Sequence, residues 1–374
     1  MAPPTEPSLP PTNDNDLRSG ATLTGLTVQG TLPASLSGRL VAIGPDSGGD
    51  VDGVLHSVHL HQGRALSYRS RRVITGSITS NIIAFGGSIL ALGDGSLAYE
   101  LTADLTTLRR VDLAGQSSGM SAYPKRDPRT GDLHILAVAD NKAQAHVVVS
   151  SGALTRMSRP ILAAPSRVKD LAVTRDRVVF VADGFAGVTA RDGEASTTWI
   201  TTGVDAPHLV HAHDVGDTIV IHAVTPSLER WTLHSTSATM RREVIDPTPR
   251  RFARTSDRAI DAEPQFLWTA GHETADKYDL ATTSYVRHFF GSGRAPGDLV
   301  FVVDTSRPSA DGGWLVGFVH HGAGDETDLV VLDAADMDHP AIATVRIPRR
   351  VVDGHHSTWI PLDPPLIHTE GARP

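Results

Sequence analysis

The chain has 374 residues, a formal net charge of -8, charged side chains at 20% and no cysteine. Interspersed acids and bases leave no basic stripe for nucleic acid or an anionic surface, and the missing thiols exclude disulfides, thiolate metal sites and a cysteine nucleophile. Any metal must be held by histidine, carboxylate or tyrosine. The start lacks a signal-peptide core, and no run reaches the roughly 18 apolar residues of a membrane span, so the expectation is a cytoplasmic protein without stable membrane association.

Residues 1–20, rich in Pro, Asn and Asp, offer almost nothing to bury and read as a disordered or surface-lying tail. From Ala21 onward short β-like runs follow one another, each ended by Gly, Asp or Asn: "GRLVAIG", "VLHSVHLHQGRALSY", "SNIIAFGGSILALGDG", "DLHILAVAD", "DLAVTRDRVVFVAD", "DTIVIHAV", "GGWLVGFVHH" and "TDLVVLDA". In the second, Val54, His56, Val58 and Leu60 alternate with their neighbours. Gln62-Gly63 and Gly86-Gly87 read as hairpin turns. No segment of helical periodicity and no internal linker interrupts the series. The expectation is one all-β domain over 21–374, a β-propeller, with a β-sandwich pair as the competing architecture. "GSGRAPGD" lacks the lysine of a phosphate loop and reads as a turn. His56, His59, His320 and His321 read as strand or rim residues.

Several segments together resemble the carotenoid cleavage oxygenases. These are "GTLPASLSGRLVAIGPD" (30–46), "GDVDGVLHSVHLHQGRALSYRSRRVIT" (49–75), "SNIIAFGGSILALGDGSLAYELTADLTTL" (80–108) and "DLVVLDAADMDHPAIATVRIPRRVVDGHHSTWIPLD" (328–363). The resemblance implies a seven-bladed propeller with iron(II) on its axis, held by four histidines. Family chains are longer, and the shortfall falls where they carry a helical dome, which implies a lower roof here.

Carried over position by position, the resemblance keeps two iron ligands. "PHLVHAHD" places one at His208, and "DGHHSTW" places another at His356, with His355 before it. The family's His-Asp-Phe motif resembles "VKDLAV", which puts Lys169 at the ligand position; its His-Pro-Lys motif resembles "YPKRDPRTG", which puts Tyr123 there. The orienting carboxylates fall on Asp94, Ala262 and Asp298. His211 and His213 lie close enough in sequence to be replacement donors.

A cationic Lys169 repels a divalent ion. The favoured expectation is therefore a centre without cofactor, in which Tyr123, Lys169, His208 and His356 form an acid/base constellation backed by Asp94 and Asp298. Such a pocket suits an isomerase, cyclase or lyase acting on a small hydrophobic or conjugated substrate; a Schiff base on Lys169 is a narrower form of the idea. One alternative is an iron(II) dioxygenase with a changed ligand set. The other is a non-catalytic binding propeller, with Tyr123 packed as a structural ring and Lys169 neutralising Asp94.

Overall fold

The computed structural model describes residues 20–45, 53–73, 79–115, 119–140, 142–150, 155–161, 164–192, 196–205, 207–256, 259, 261–322, 324, 326–351 and 356–362. The expected tail up to residue 19 and His355 lie outside them. Among the described residues every regular element is a strand, and none is a helix able to cross a membrane.

The strands form seven antiparallel sheets, the blades of a propeller. Blade 1 runs outward from His356–Pro361 through Gly38–Pro45, Gly53–His61 and Arg64–Val73 to Ala21–Leu23. Blade 2 runs from Thr79–Phe85 to Thr107–Val111, and blade 3 from Gly119–Met120 and Lys125–Arg126 to Arg156–Pro160. Blades 4, 5 and 6 begin at Val168–Val173, His208–Val215 and Phe252–Thr255. Blade 7 begins at Arg294–Pro296 and Val300–Val303, and ends on Thr27–Gly30, which pairs with Ala343–Ile347.

Two hairpins show how the local sequence sets the register. Gln62 and Gly63 both have positive φ, as do Gly86 and Gly87, so each pair makes a two-residue turn whose twist matches its flanking strands. His61 accordingly pairs with Arg64, and Phe85 with Ser88. The strand that carries the alternating Val54, His56, Val58 and Leu60 has no wet face. Gly53–His61 is buried on both sides because each blade is covered by the next, and Gly313–His321 behaves alike. Only outermost strands such as Thr239–Asp246 are largely exposed.

This packing encloses histidines as well. His56 is fully buried, with Nδ1 2.8 Å from the Tyr68 hydroxyl, and His134 Nδ1 meets His146 Nε2 at 3.0 Å. Burial pushes their pKa values down to about 3 for His56, about 4 for His134 and about 3 for His146. In the unfolded chain the same rings take up protons from about pH 6.5 downward, so the unfolded state binds more protons and stability falls as pH drops from about 6.5 toward 4. Each ring contributes a slope of about 1.4 kcal/mol per pH unit in that window. Urea midpoints measured from pH 7.5 to 4.5 should fall steadily, and His146→Gln should flatten the fall; a flat parent profile would contradict the burial argument.

Candidate active site

The inner strands of the blades meet at the axis, where the first residues of several are displaced by β-bulges. Register shifts occur between Thr79 and Asn81, between Val168 and Asp170, and between Leu209 and His211. A bulge inserts one unpaired residue and re-aims the side chains beside it. In blade 3 the interruption has another cause. Pro124 cannot donate to the ladder, so the inner strand is split into Gly119–Met120 and Lys125–Arg126, with Tyr123 between them. Its N–H is satisfied locally by Ser121 Oγ at 3.2 Å.

Three rings from three blades converge there. The centroids of His208 and His356 are 5.3 Å apart, and Tyr123 stands edge-on to both, 5.4 Å from His356 and 6.2 Å from His208. Phe252 packs edge-on against His356 at 5.9 Å. Each histidine is backed by a carboxylate from the preceding blade. Asp298 Oδ2 accepts the Ser357 N–H at 2.9 Å and lies 3.5 Å from His356 Nδ1. Asp170 Oδ2 accepts the Leu209 N–H at 3.1 Å and lies 3.8 Å from His208 Nδ1, an electrostatic contact longer than a hydrogen bond. One carboxylate thus fixes both the strand that carries the ring and the ring's Nδ1 edge. The arrangement favours the Nδ1–H tautomer and leaves the lone pair on Nε2.

Cations in turn hold the carboxylates. Arg254 donates to both oxygens of Asp298, with Nε at 3.0 Å from Oδ1, and its Nη2 also reaches the Ser357 carbonyl at 3.0 Å. Lys125 Nζ lies 3.2 Å from Asp170 Oδ1 and donates to the Leu209 carbonyl at 3.1 Å. Burial opposes ionisation of Asp298, yet Arg254 and the His356 contact hold it well below the usual carboxylate range. Asp170 shifts the other way, because its burial outweighs Lys125. Burial, reinforced by Lys125, His356 and Arg254, drives the His208 pKa well below its ordinary value, so the ring is neutral at physiological pH.

The family model described as retinal pigment epithelial membrane protein, RPE65, matches residues 74–201 and 207–361. The chain belongs to this family, that of the carotenoid cleavage oxygenases. A carotenoid cleavage oxygenase of Mycobacterium tuberculosis is 24% identical, the match covering 91% of this chain and 95% of that protein. An isoeugenol monooxygenase of Pseudomonas nitroreducens is 24% identical over 75% of this chain and 74% of its own length. Among solved structures, Pseudomonas brassicacearum lignostilbene dioxygenase superposes with a TM-score of 0.81 at 21% identity, over 91% of this chain and 95% of that one. Cobalt-substituted Synechocystis apocarotenoid oxygenase does so with a TM-score of 0.80 at 17% identity, over 91% and 96%. These structures establish the shared propeller.

Against the family pattern, the structure brings Tyr123, His208, His356 and Asp298 together but separates the other expected residues. Lys169 sits in the bulge of blade 4, with its Nζ 2.6 Å from Asp183 Oδ1 and its backbone carbonyl near Ser121 Oγ. Its ammonium is thus engaged by Asp183. Burial raises the pKa of the Tyr123 phenol, against a hydrogen bond with Ser80, and Asp94 and Asp170 raise it further. Asp94 pairs with Arg167 Nη2 at 2.5 Å, and its charge also acts on Tyr123. Lys169 does not neutralise Asp94. His211 and His213 turn away into a second group with His222.

Sequence reasoning missed Asp170, Lys125, Arg254 and Phe252. A signal existed for Asp170, which occupies the Asp place of the His-Asp-Phe motif in "VKDLAV", a lone carboxylate in a buried strand. Arg254 in "FART" and Phe252 carried none, because their roles depend on which blades are neighbours.

Proposed function

We propose that the protein is an iron(II)-dependent oxygenase that cleaves a conjugated carbon–carbon double bond in a small aromatic or apocarotenoid substrate. The observation that carries this is the pair of adjacent imidazoles, each with Nδ1 toward a buried carboxylate. Similar proteins are named as a carotenoid cleavage oxygenase, an isoeugenol monooxygenase and a lignostilbene dioxygenase, and the family resemblance implies iron(II) on the axis. The donor set fits a metal ion: two imidazoles bound at about 2.0–2.1 Å to one centre hold their ring centroids roughly 5–6 Å apart, and His208 and His356 are at 5.3 Å. The objection raised by Lys169 weakens once its charge is matched by Asp183. His208 and His356 would hold the ion, with Tyr123 as the third group at the site.

Iron(II), when bound, supplies the oxygen activation that organic side chains cannot. This chain's residues prepare the place for it. Asp298 and Asp170 retain the Nδ1 protons and fix both rings, while Arg254 and Lys125 keep those carboxylates in position. Tyr123, held protonated, offers a hydroxyl donor beside the rings. Farther along the axis, beyond Lys125, a cavity of about 160 Å³ is lined by Arg126, Arg129, Thr174, His211, Ser256 and Asp261. Its charged wall does not suit an apolar substrate, which favours substrate approach from the Tyr123 side.

The metal-independent isomerase, cyclase or lyase reading loses its basis. The phenol is not activated by a lysine, and His208 does not titrate near neutrality. Protein purified without a histidine tag and reconstituted anaerobically with iron(II) should bind about one equivalent, lose it on His356→Ala, and consume oxygen with hydroxystilbenes or phenylpropenes. Equal turnover by metal-free protein would restore the acid/base reading. Iron binding without turnover of any conjugated alkene would favour a binding propeller.

A further inference from the structure

A second histidine group lies between blades 5 and 6. His211 and His222 are paired across His208–Val215 and its neighbour Thr218–Val224, as part of the ladder that places His213 opposite Val220. The ring centroids of His211 are 5.6 Å from His213 and 6.4 Å from His222. Blade 6 contributes Glu263, whose Oε1 is 3.7 Å from His222 Nε2, and the Ala262 carbonyl, 2.9 Å from His211 Nε2.

What marks the group is its unmet polarity. His222 is fully buried and neither ring nitrogen has a hydrogen-bond partner; His213 is 3% exposed and its Nδ1 is likewise unpartnered. A buried polar atom without a partner costs about 1–3 kcal/mol, so three in one place call for an occupant. Burial also lowers the pKa of both rings, to about 3 for His222 and about 4 for His213, which keeps them in the neutral form that ligates metals.

We propose that His211, His213 and His222, with Glu263, form a second metal site for a borderline divalent ion of the zinc class, separate from the axial centre. Three imidazoles and a carboxylate match the donor preference of zinc; the 5.6 Å between His211 and His213 is near that of two rings on one ion, whereas the 6.4 Å to His222 has to shorten on binding. As the side chains stand, no three of the four donors lie within one coordination sphere, so binding moves at least two of them. Entry is through Glu263, whose side chain is 35% exposed. The apo form is held by Arg230, whose Nη2 is 2.8 Å from Glu263 Oε1 and which stands opposite His222 in the ladder. Asp214, the remaining charge near His213, is taken by Arg177 at 2.6 Å. The ion would displace Arg230 from Glu263 and satisfy one orphaned nitrogen on each of His213 and His222.

Titration of the untagged full-length protein with zinc(II), followed by cobalt(II) absorption for geometry, tests this. Zinc affinity should fall by about a hundredfold in His222→Gln and about tenfold in Glu263→Gln. It should tighten in Arg230→Met, which removes the competing cation, and this equivalent should persist in His356→Ala. Should His222→Gln fail to fold by thermal melt, the half-exposed Glu263→Gln and Arg230→Met carry the decision. Zinc binding that disappears entirely in His356→Ala, or that is indifferent to Glu263 and Arg230, would overturn the proposal.

Discussion

Asp298→Ala should lower stability by about 3 kcal/mol and weaken iron binding by about 10–100-fold. The substitution strands three groups at once. Arg254 loses its bidentate partner, the Ser357 N–H loses its acceptor, and His356 Nδ1 loses the charge that fixes its ring. Breaking one side of a buried ion pair is costly because the other charge remains desolvated, although Arg254 is 34% exposed and solvent moderates the loss. Asp298→Asn keeps an oxygen for Ser357 and should recover part of the stability without the metal affinity. Urea unfolding and anaerobic iron titration separate the two effects. An Asp298→Ala variant as stable as the parent would show that the carboxylate does not organise this part of the axis.

Lys169→His should tighten iron(II) binding by about 10–100-fold, the largest gain expected of any single substitution here. It replaces a cation with an imidazole at the position where the family resemblance puts a ligand, and it frees Asp183, now 2.6 Å from the ammonium, to orient the new ring. Competition against a chelator under nitrogen gives the affinity. Unchanged or weaker binding would mean that the bulge in blade 4 carries this side chain away from the axis, and that the ligand set is complete without it.

The architecture was legible because its signals are local. Two-residue turns at Gln62-Gly63 and Gly86-Gly87, repeated short apolar runs and absent helical periodicity all constrain adjacent residues, and each of these held in the structure. The site was legible in part. Tyr123, His208, His356 and Asp298 could be placed because each falls on a position of a motif that the family resemblance supplies. Lys169 was misjudged for a reason of geometry: a residue in a bulge leaves the strict alternation of a strand, and Asp183, its partner, is reached only across a hairpin. The role of Asp170 as the support of His208 was hidden similarly, since it depends on contact between blades 4 and 5. The alternation around His56 marked a strand, but burial on both faces is a property of stacked sheets and has no signature within one of them.

The strand that closes the ring has a consequence for how activity is acquired. Blade 1 takes its innermost strand, His356–Pro361, from the far end of the sequence, while Thr27–Gly30 seals blade 7 from the near end. His356 is the first residue of that last strand, so the centre cannot be completed until the two ends of the chain have met. A ribosome-bound or half-folded chain, however many blades it has built, holds one of the two imidazoles and no closed axis. Under the iron reading proposed above, metal loading would therefore follow closure of the ring.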